Sequence, residues 1–372
     1  MDKIVNKQRF LGIDLCRGIA AFAVILVHSG DETWGIPVSD RALQFRFLFY
    51  FAVPFFLATS FFFLTRNLSK NINLDFLVVK LQRIFIPYIF WSIFYLFLRT
   101  LFFFFTNQTD RLNQLAQDPL SIIFFGGASY HLYFLPLLFS GTLLLILFRK
   151  IIKQQNATQL MLIIFIISII LNEVIGLSGN LFKLNPNIAF SGLLNLLNTN
   201  VIYYPVVRFL LVQLAWILNC LPYFCMAVIL NHLLLKIKLS VFKNGGVFLL
   251  FASIFIYVNF IGETFILNEL SKIIIAFSLL LVGICLSTHF KESSIIENLG
   301  NCSFGIYLIH PIVKKIIGII LTFAVPQVTS QITVVSMLCL SIPSFLTSWL
   351  LVSQLLKNKQ LAKYMFGMRI NF

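Results

Sequence analysis

Residues 10–29 read FLGIDLCRGIAAFAVILVHS, an apolar run into which Asp14, Arg17 and His28 are set. A helix of about 20 mostly apolar residues crosses a bilayer, so the run reads as a first membrane span. Lys3, Lys7 and Arg9 precede it, as basic residues precede a secretory leader. No small-residue cleavage motif follows, however, and a leader core does not carry both an aspartate and an arginine. The span is expected to be retained. Gly12, Gly18, Ala20, Ala21 and Ala23 keep the helix thin, which suits the centre of a bundle.

The remainder of the chain is built alike. Of 372 residues, 59 % are hydrophobic and 11 % charged, where soluble domains carry about 25 % charged residues. So few charges cannot wet a globular surface, which excludes a soluble enzyme or binding module. Apolar runs at 11–29, 44–64, 82–105, 131–149, 159–177, 209–235, 246–262, 271–288, 303–324 and 332–356 give about ten candidate spans. With the N-terminus inside, 18 of the 28 Lys and Arg residues fall in cytoplasmic segments, 7 outside and 3 within spans. That bias predicts an even number of spans with both termini cytoplasmic. It also accounts for the formal charge of +15 without a nucleic-acid partner. The six cysteines show neither C-x-x-C nor a Cys/His zinc spacing, so neither a metal site nor a disulfide framework is expected. The expected fold is all-α: one membrane domain over residues 1–372, a polytopic bundle of about ten transmembrane helices.

Two longer polar stretches, about 106–130 and 178–208, fall on the outer side. The second is rich in asparagine and ends near Tyr203 and Tyr204, which suits a sugar surface and an ordinary interfacial loop equally well. No internal repeat is visible, which weakens an inverted-repeat transporter.

An ionisable residue inside a span costs about 2.5–3.5 kcal/mol on insertion scales, so each needs a reason. Asp14 and Arg17 stand at i and i+3 and can pair on one helix face. Arg17 and His28 are eleven residues apart, close to three helical turns, and so share a face at roughly 16 Å separation. Arg17 then lies toward the cytoplasm and His28 toward the outer side. A cation at the inner depth can hold a phosphate-bearing donor, and an imidazole at the outer depth can act as general base on a hydroxyl. Asp31, at i+3 from His28, and Glu32 can reach back to orient the His28 ring or simply be solvated. Taken singly, these residues have plainer readings: a topology-setting pair and an interfacial histidine.

Three further sets stand out. Lys80 and Arg83, at i and i+3 before Pro87, can grip a 3′-phosphate or pyrophosphate, or simply anchor the third span on its positive side. Tyr130, His131 and Tyr133 open the fourth span, as a sugar-stacking platform or as part of an aromatic belt. Tyr307 and His310 share a face with Ser303 and are expected a little inside the cytoplasmic end of the ninth span. Lys314 and Lys315 lie too deep to be solvated and are expected to face a cavity or a partner. Glu173, near the end of the fifth span, has no partner that the sequence reveals.

The stretch 10–21 followed by His28 resembles the "LD-x-LRG-x-A…H" first helix of acyltransferase family 3, the integral-membrane O-acyltransferases of bacterial glycans. Residues 51–60, FAVPFFLATS, resemble its "V-x-x-FF-x-x-S" helix, and Lys80, Arg83 and Pro87 its R-x-x-R segment. His131, Leu132, Tyr133, Phe134 and Leu135 resemble "H-L-W-F-L". Tyr223 and Phe224 resemble "YF-x-x-G", and residues 301–311 resemble the closing "S-Y-x-x-Y-L-x-H-P". Lys80 replaces the first arginine, Tyr133 the usual tryptophan, and Met226 or Ala227 stands near the expected glycine. The motifs span most of the chain in order.

The resemblance implies transfer of an acyl group, acetyl or succinyl, from cytoplasmic acyl-CoA to a hydroxyl of an extracytoplasmic glycan or glycolipid. It implies a catalytic site of His28, Arg17 and Asp14, donor binding by Arg17, Lys80 and Arg83, and acceptor contacts from His131, Tyr133, Tyr307 and His310. The donor is acyl-CoA as a substrate; no metal is implied. Partners are the lipid bilayer, the acceptor and the donor, with a homodimer left open, in a bacterial cytoplasmic membrane. The rival reading is an exporter of polysaccharide or lipid-linked sugar without chemistry.

Overall fold

The computed structural model describes residues 9–29, 36–66, 74–175, 190, 205–290 and 292–368. Asp31, Glu32, Tyr203, Tyr204 and the asparagines of 185–200 lie outside these, as do Lys3, Lys7, Lys70, Lys183, Lys291 and Arg369. The described residues form helices α1 (Leu11–Ser29), α2 (Asp40–Phe47), α3 (Ala52–Thr65), α4 (Leu74–Phe105), α5 (Thr109–Gln117), α6 (Pro119–Phe124), α7 (Phe134–Thr142) and α8 (Leu144–Ile152). They continue as α9 (Ala157–Ile175), α10 (Pro205–Lys236), α11 (Gly245–Phe265), α12 (Asn268–Ser287), α13 (Ser294–Ala324), α14 (Pro326–Thr329), α15 (Val334–Leu355) and α16 (Lys359–Phe366).

The protein is a polytopic helical membrane protein. Among the described residues, eight helical stretches are long and apolar enough to cross a bilayer. The candidate spans 159–177 and 246–262 fall on α9 and α11, whose described apolar segments Ala157–Glu173 and Gly245–Ile261 are shorter.

The second and fourth expected spans are each two helices end to end. Pro54 lies in the first turn of α3, where it has no N–H for the Tyr50 carbonyl, so a helix arriving from α2 cannot run through unbroken. The break exposes backbone that lipid cannot satisfy. Asn259 of α11 meets that need, donating to the Leu48 carbonyl at 2.8 Å. The same rule explains Asn172, a polar residue buried in apolar α9. Pro222 inside α10 leaves the Leu218 carbonyl without its i+4 donor, and the Asn172 amide bonds it at 3.1 Å.

The chain gathers into two compact units, Met1–Ser60 with Leu233–Lys359, and Phe61–His232 with Gln360–Phe372. In the first, α1 packs along α12, α13 and α15. A Cβ at Gly12 would stand 2.2 Å from the Gly283 carbonyl oxygen, so the α1–α12 approach requires glycine. There the Gly12 N–H donates to Ser287 Oγ at 2.9 Å. Small residues and hydrogen bonds of this kind hold helices together where lipid removes the hydrophobic drive. α13 runs parallel to α1. At one end Arg9 bridges Asp14 (2.7 Å) to Glu297 (2.6 Å) and Asn301 (2.9 Å). At the other end, residues 310 and 314 stand beside His28.

In the second unit α4 packs on α7. Arg99 donates to the Gly127 and Ala128 carbonyls, both at 3.1 Å, and Tyr88 Oη reaches the carbonyls of Ile122 and Ile123. Arg208 of α10 forms a two-pronged, buried pair with Asp118, both bonds at 2.8 Å. α16 lies on α4, where Trp91 Nε1 donates to the Met365 carbonyl at 2.8 Å.

Candidate active site

His28 occupies the last turn of α1. Its ring stacks on that of His310, with centroids 5.7 Å apart and planes inclined by 23°. The sequence around His310 sets its chemistry. Pro311 has no N–H, so the Tyr307 carbonyl loses the donor that residue 311 would supply in a helix. His310 Nδ1 takes that place at 2.7 Å. A carbonyl only accepts, so Nδ1 carries a proton, and in the neutral ring Nε2 holds the lone pair. Tyr307 stands 6.1 Å from the His310 ring and 6.4 Å from Phe56.

His28 opens onto a cleft of about 440 Å³, its mouth included, whose polar lining includes Ser29, Lys314, Thr329 and Ser336. Ile36 and Ile332 form part of its apolar flank. The rim is tied backbone to backbone: Ser39 N–H donates to the Ile332 carbonyl, and Ile332 N–H to that of Pro37, both at 2.9 Å. Lys314, buried at 5 % exposure, donates to the His28 carbonyl at 2.5 Å. Lys315 instead turns to the exposed side of α13.

The other end of α1 holds the expected carboxylate and cation. Asp14 is buried and lies closest to Arg9, while Arg17 approaches its second oxygen at 3.4 Å. Asp14 thus also fastens α1 to α13. Arg17 is a quarter exposed, at 26 % of its side chain. Eleven residues of continuous helix separate it from His28, about 16 Å.

Tyr307 and His310 lie elsewhere than expected. The run 303–324 suggests a helix entering near residue 303, which would leave both close to the cytoplasmic end. α13 begins at Ser294, capped by Ser293, and is 31 residues long, so its first turns lie beside Arg9 and Asp14 and His310 reaches His28. Proximity of these residues is therefore at the far end of α1 from Arg17.

In the second unit, Lys80 and Arg83 are half-buried on α4, one turn apart. Pro87 frees the Arg83 carbonyl as Pro311 frees that of Tyr307. Gly367, at φ +63°, packs its Cα against that oxygen, where a Cβ would stand only 2.1 Å away. His131 lies in the turn before α7 rather than on the helix. It is 1 % exposed, with Nδ1 3.1 Å from Ser129 Oγ and its ring 5.1 Å from Tyr95. Tyr133 beside it is half-buried.

Sequence reasoning missed the His28–His310 stack and the Lys314 bond, because 282 and 286 positions separate the partners. One signal was readable: a proline four residues after a tyrosine, with a histidine between that can claim the freed carbonyl. No curated protein and no solved structure matches the chain. Residues 10–353, nearly the whole chain and running through both units, match the family described as "Acyltransferase domain", and the chain belongs to that membrane acyltransferase family, acyltransferase family 3.

Proposed function

We propose that the protein is an O-acyltransferase that moves an acetyl or succinyl group from cytoplasmic acyl-CoA to a hydroxyl of an extracytoplasmic glycan or glycolipid. The observation that carries this reading is His28, stacked on a tautomer-fixed His310 and opening onto a cleft at the end of α1 opposite Arg17. Membership of an acyltransferase family supports the chemistry.

In this reading Arg17, Lys80 and Arg83 hold the phosphates of the donor, and Asp14 orients the Arg17 guanidinium. The acyl-bearing arm runs along α1 for about 16 Å to His28. His28 takes the proton of the acceptor hydroxyl, whose oxygen attacks the thioester carbonyl. The C–S bond breaks, and the departing thiolate recovers the proton from the imidazolium. His310 and Tyr307 set the His28 ring and border the acceptor. Tyr133 offers a partly open aromatic face to a sugar, and His131 shapes the turn that presents it. The same reading places the chain in a bacterial cytoplasmic membrane with both termini inside, and it needs no second copy.

The test incubates membranes holding wild-type or His28→Ala protein with labelled acetyl-CoA or succinyl-CoA and candidate glycans. Label should appear in the glycan with wild type and vanish with the variant. Glycan movement that survives His28→Ala, with no label ever transferred, would make the protein an exporter instead.

A further inference from the structure

We infer that Lys314 is a positioning residue for His28, a role that rests on the reading of His28 as the general base. An ammonium buried to 5 % exposure within a span is costly, and only a specific partner justifies it. Its partner is the His28 main chain, bonded through the carbonyl at 2.5 Å. That carbonyl belongs to the last turn of α1, where helix geometry leaves oxygens without intrahelical donors. The nearby carbonyl of Ile25 is met from within the helix, by Ser29 Oγ at 2.7 Å. The one at His28 is met from α13. A cation there also complements the negative end of the α1 dipole.

α13 therefore holds His28 twice. His310 meets the ring, and Lys314, one turn further on, grips the backbone from which the ring is hung. Two fixed points on one rigid helix define where the imidazole stands at the cleft. Loss of the second lets the last turn of α1 fray and the ring drift. A displacement of about 1 Å can cost about a hundredfold in rate without touching the donor grip, which lies about 16 Å away.

The experiment compares wild type, Lys314→Met, Lys314→Arg and His28→Ala in purified, stably inserted protein. It reads kcat, the KM for acyl-CoA and the rate at which diethyl pyrocarbonate modifies His28. Lys314→Met should lower kcat by about tenfold or more with KM for the donor unchanged. Lys314→Arg, which keeps a cationic donor, should recover part of that loss, and His28 should be modified faster in Lys314→Met. If Lys314→Met inserts poorly, the arginine variant and the modification rate decide. A normal kcat in Lys314→Met, or an unchanged His28 modification rate, overturns the inference while His28→Ala stays inactive. A fully active His28→Ala would instead overturn the underlying reading of His28.

Discussion

Pro311 costs α13 one backbone hydrogen bond and gains a histidine of defined tautomer. Replacing it with alanine restores an N–H that competes with His310 Nδ1 for the Tyr307 carbonyl. Pro311→Ala should therefore retain or raise the melting temperature in detergent, since proline is the poorest helix former. Its acyl transfer should fall by about tenfold or more, because the stacked ring is no longer fixed. Equal activity with equal stability would mean that the His310 tautomer is immaterial. Arg208 and Asp118 give a second residue-scale prediction. Breaking a buried pair strands the remaining charge at about 3–5 kcal/mol, so Arg208→Met should lower the melting temperature sharply. Arg208→Met combined with Asp118→Leu should recover much of the loss; a double variant no better than the single would show that the charges are not the cause.

The residues legible from sequence were those whose placement is costly in lipid. Asp14, Arg17 and His28 sit in an apolar run where each is expensive, so they drew attention unaided. Arg99, Asn172 and Arg208 did not, because their tertiary partners lie 28, 46 and 90 residues away and nothing local marks them. Arg99 and Arg208 are both spent on internal bonds.

At the scale of elements, hydropathy located the spans and misjudged their ends. α13 starts nine residues before the apolar run assigned to it, because capping Ser293 and the Arg9–Glu297 contact extend it through polar sequence. That offset is what moved His310 from one end of α1 to the other. α16 is the element least visible beforehand: it is amphipathic, short, and lies beyond the family match at 10–353. Its Gly367 seats against the Arg83 carbonyl at a positive φ. Gly367→Val should displace the Arg83 segment, raising KM for acyl-CoA several-fold and leaving kcat near wild type. An unchanged KM, with Arg83→Ala showing a raised one, would mean that α16 plays no part in the donor grip.

The whole molecule was the most legible scale. Composition fixes a membrane protein, and the distribution of Lys and Arg predicts an orientation that does not depend on any single residue. Fusions of a reporter active only outside the cytoplasm should be silent at both termini and active between residues 106 and 130. A C-terminal fusion active while the N-terminal one is silent would demand an odd number of spans.

The central claim is that one helix divides the work, with donor affinity at Arg17 and proton transfer at His28. It is tested most directly by measuring CoA binding and single-turnover acyl transfer on the same purified samples of wild type, Arg17→Ala and His28→Ala. The account predicts weakened CoA binding in Arg17→Ala, and CoA binding near wild type with acyl transfer abolished in His28→Ala. Acyl transfer at the wild-type rate by stably inserted His28→Ala would contradict it.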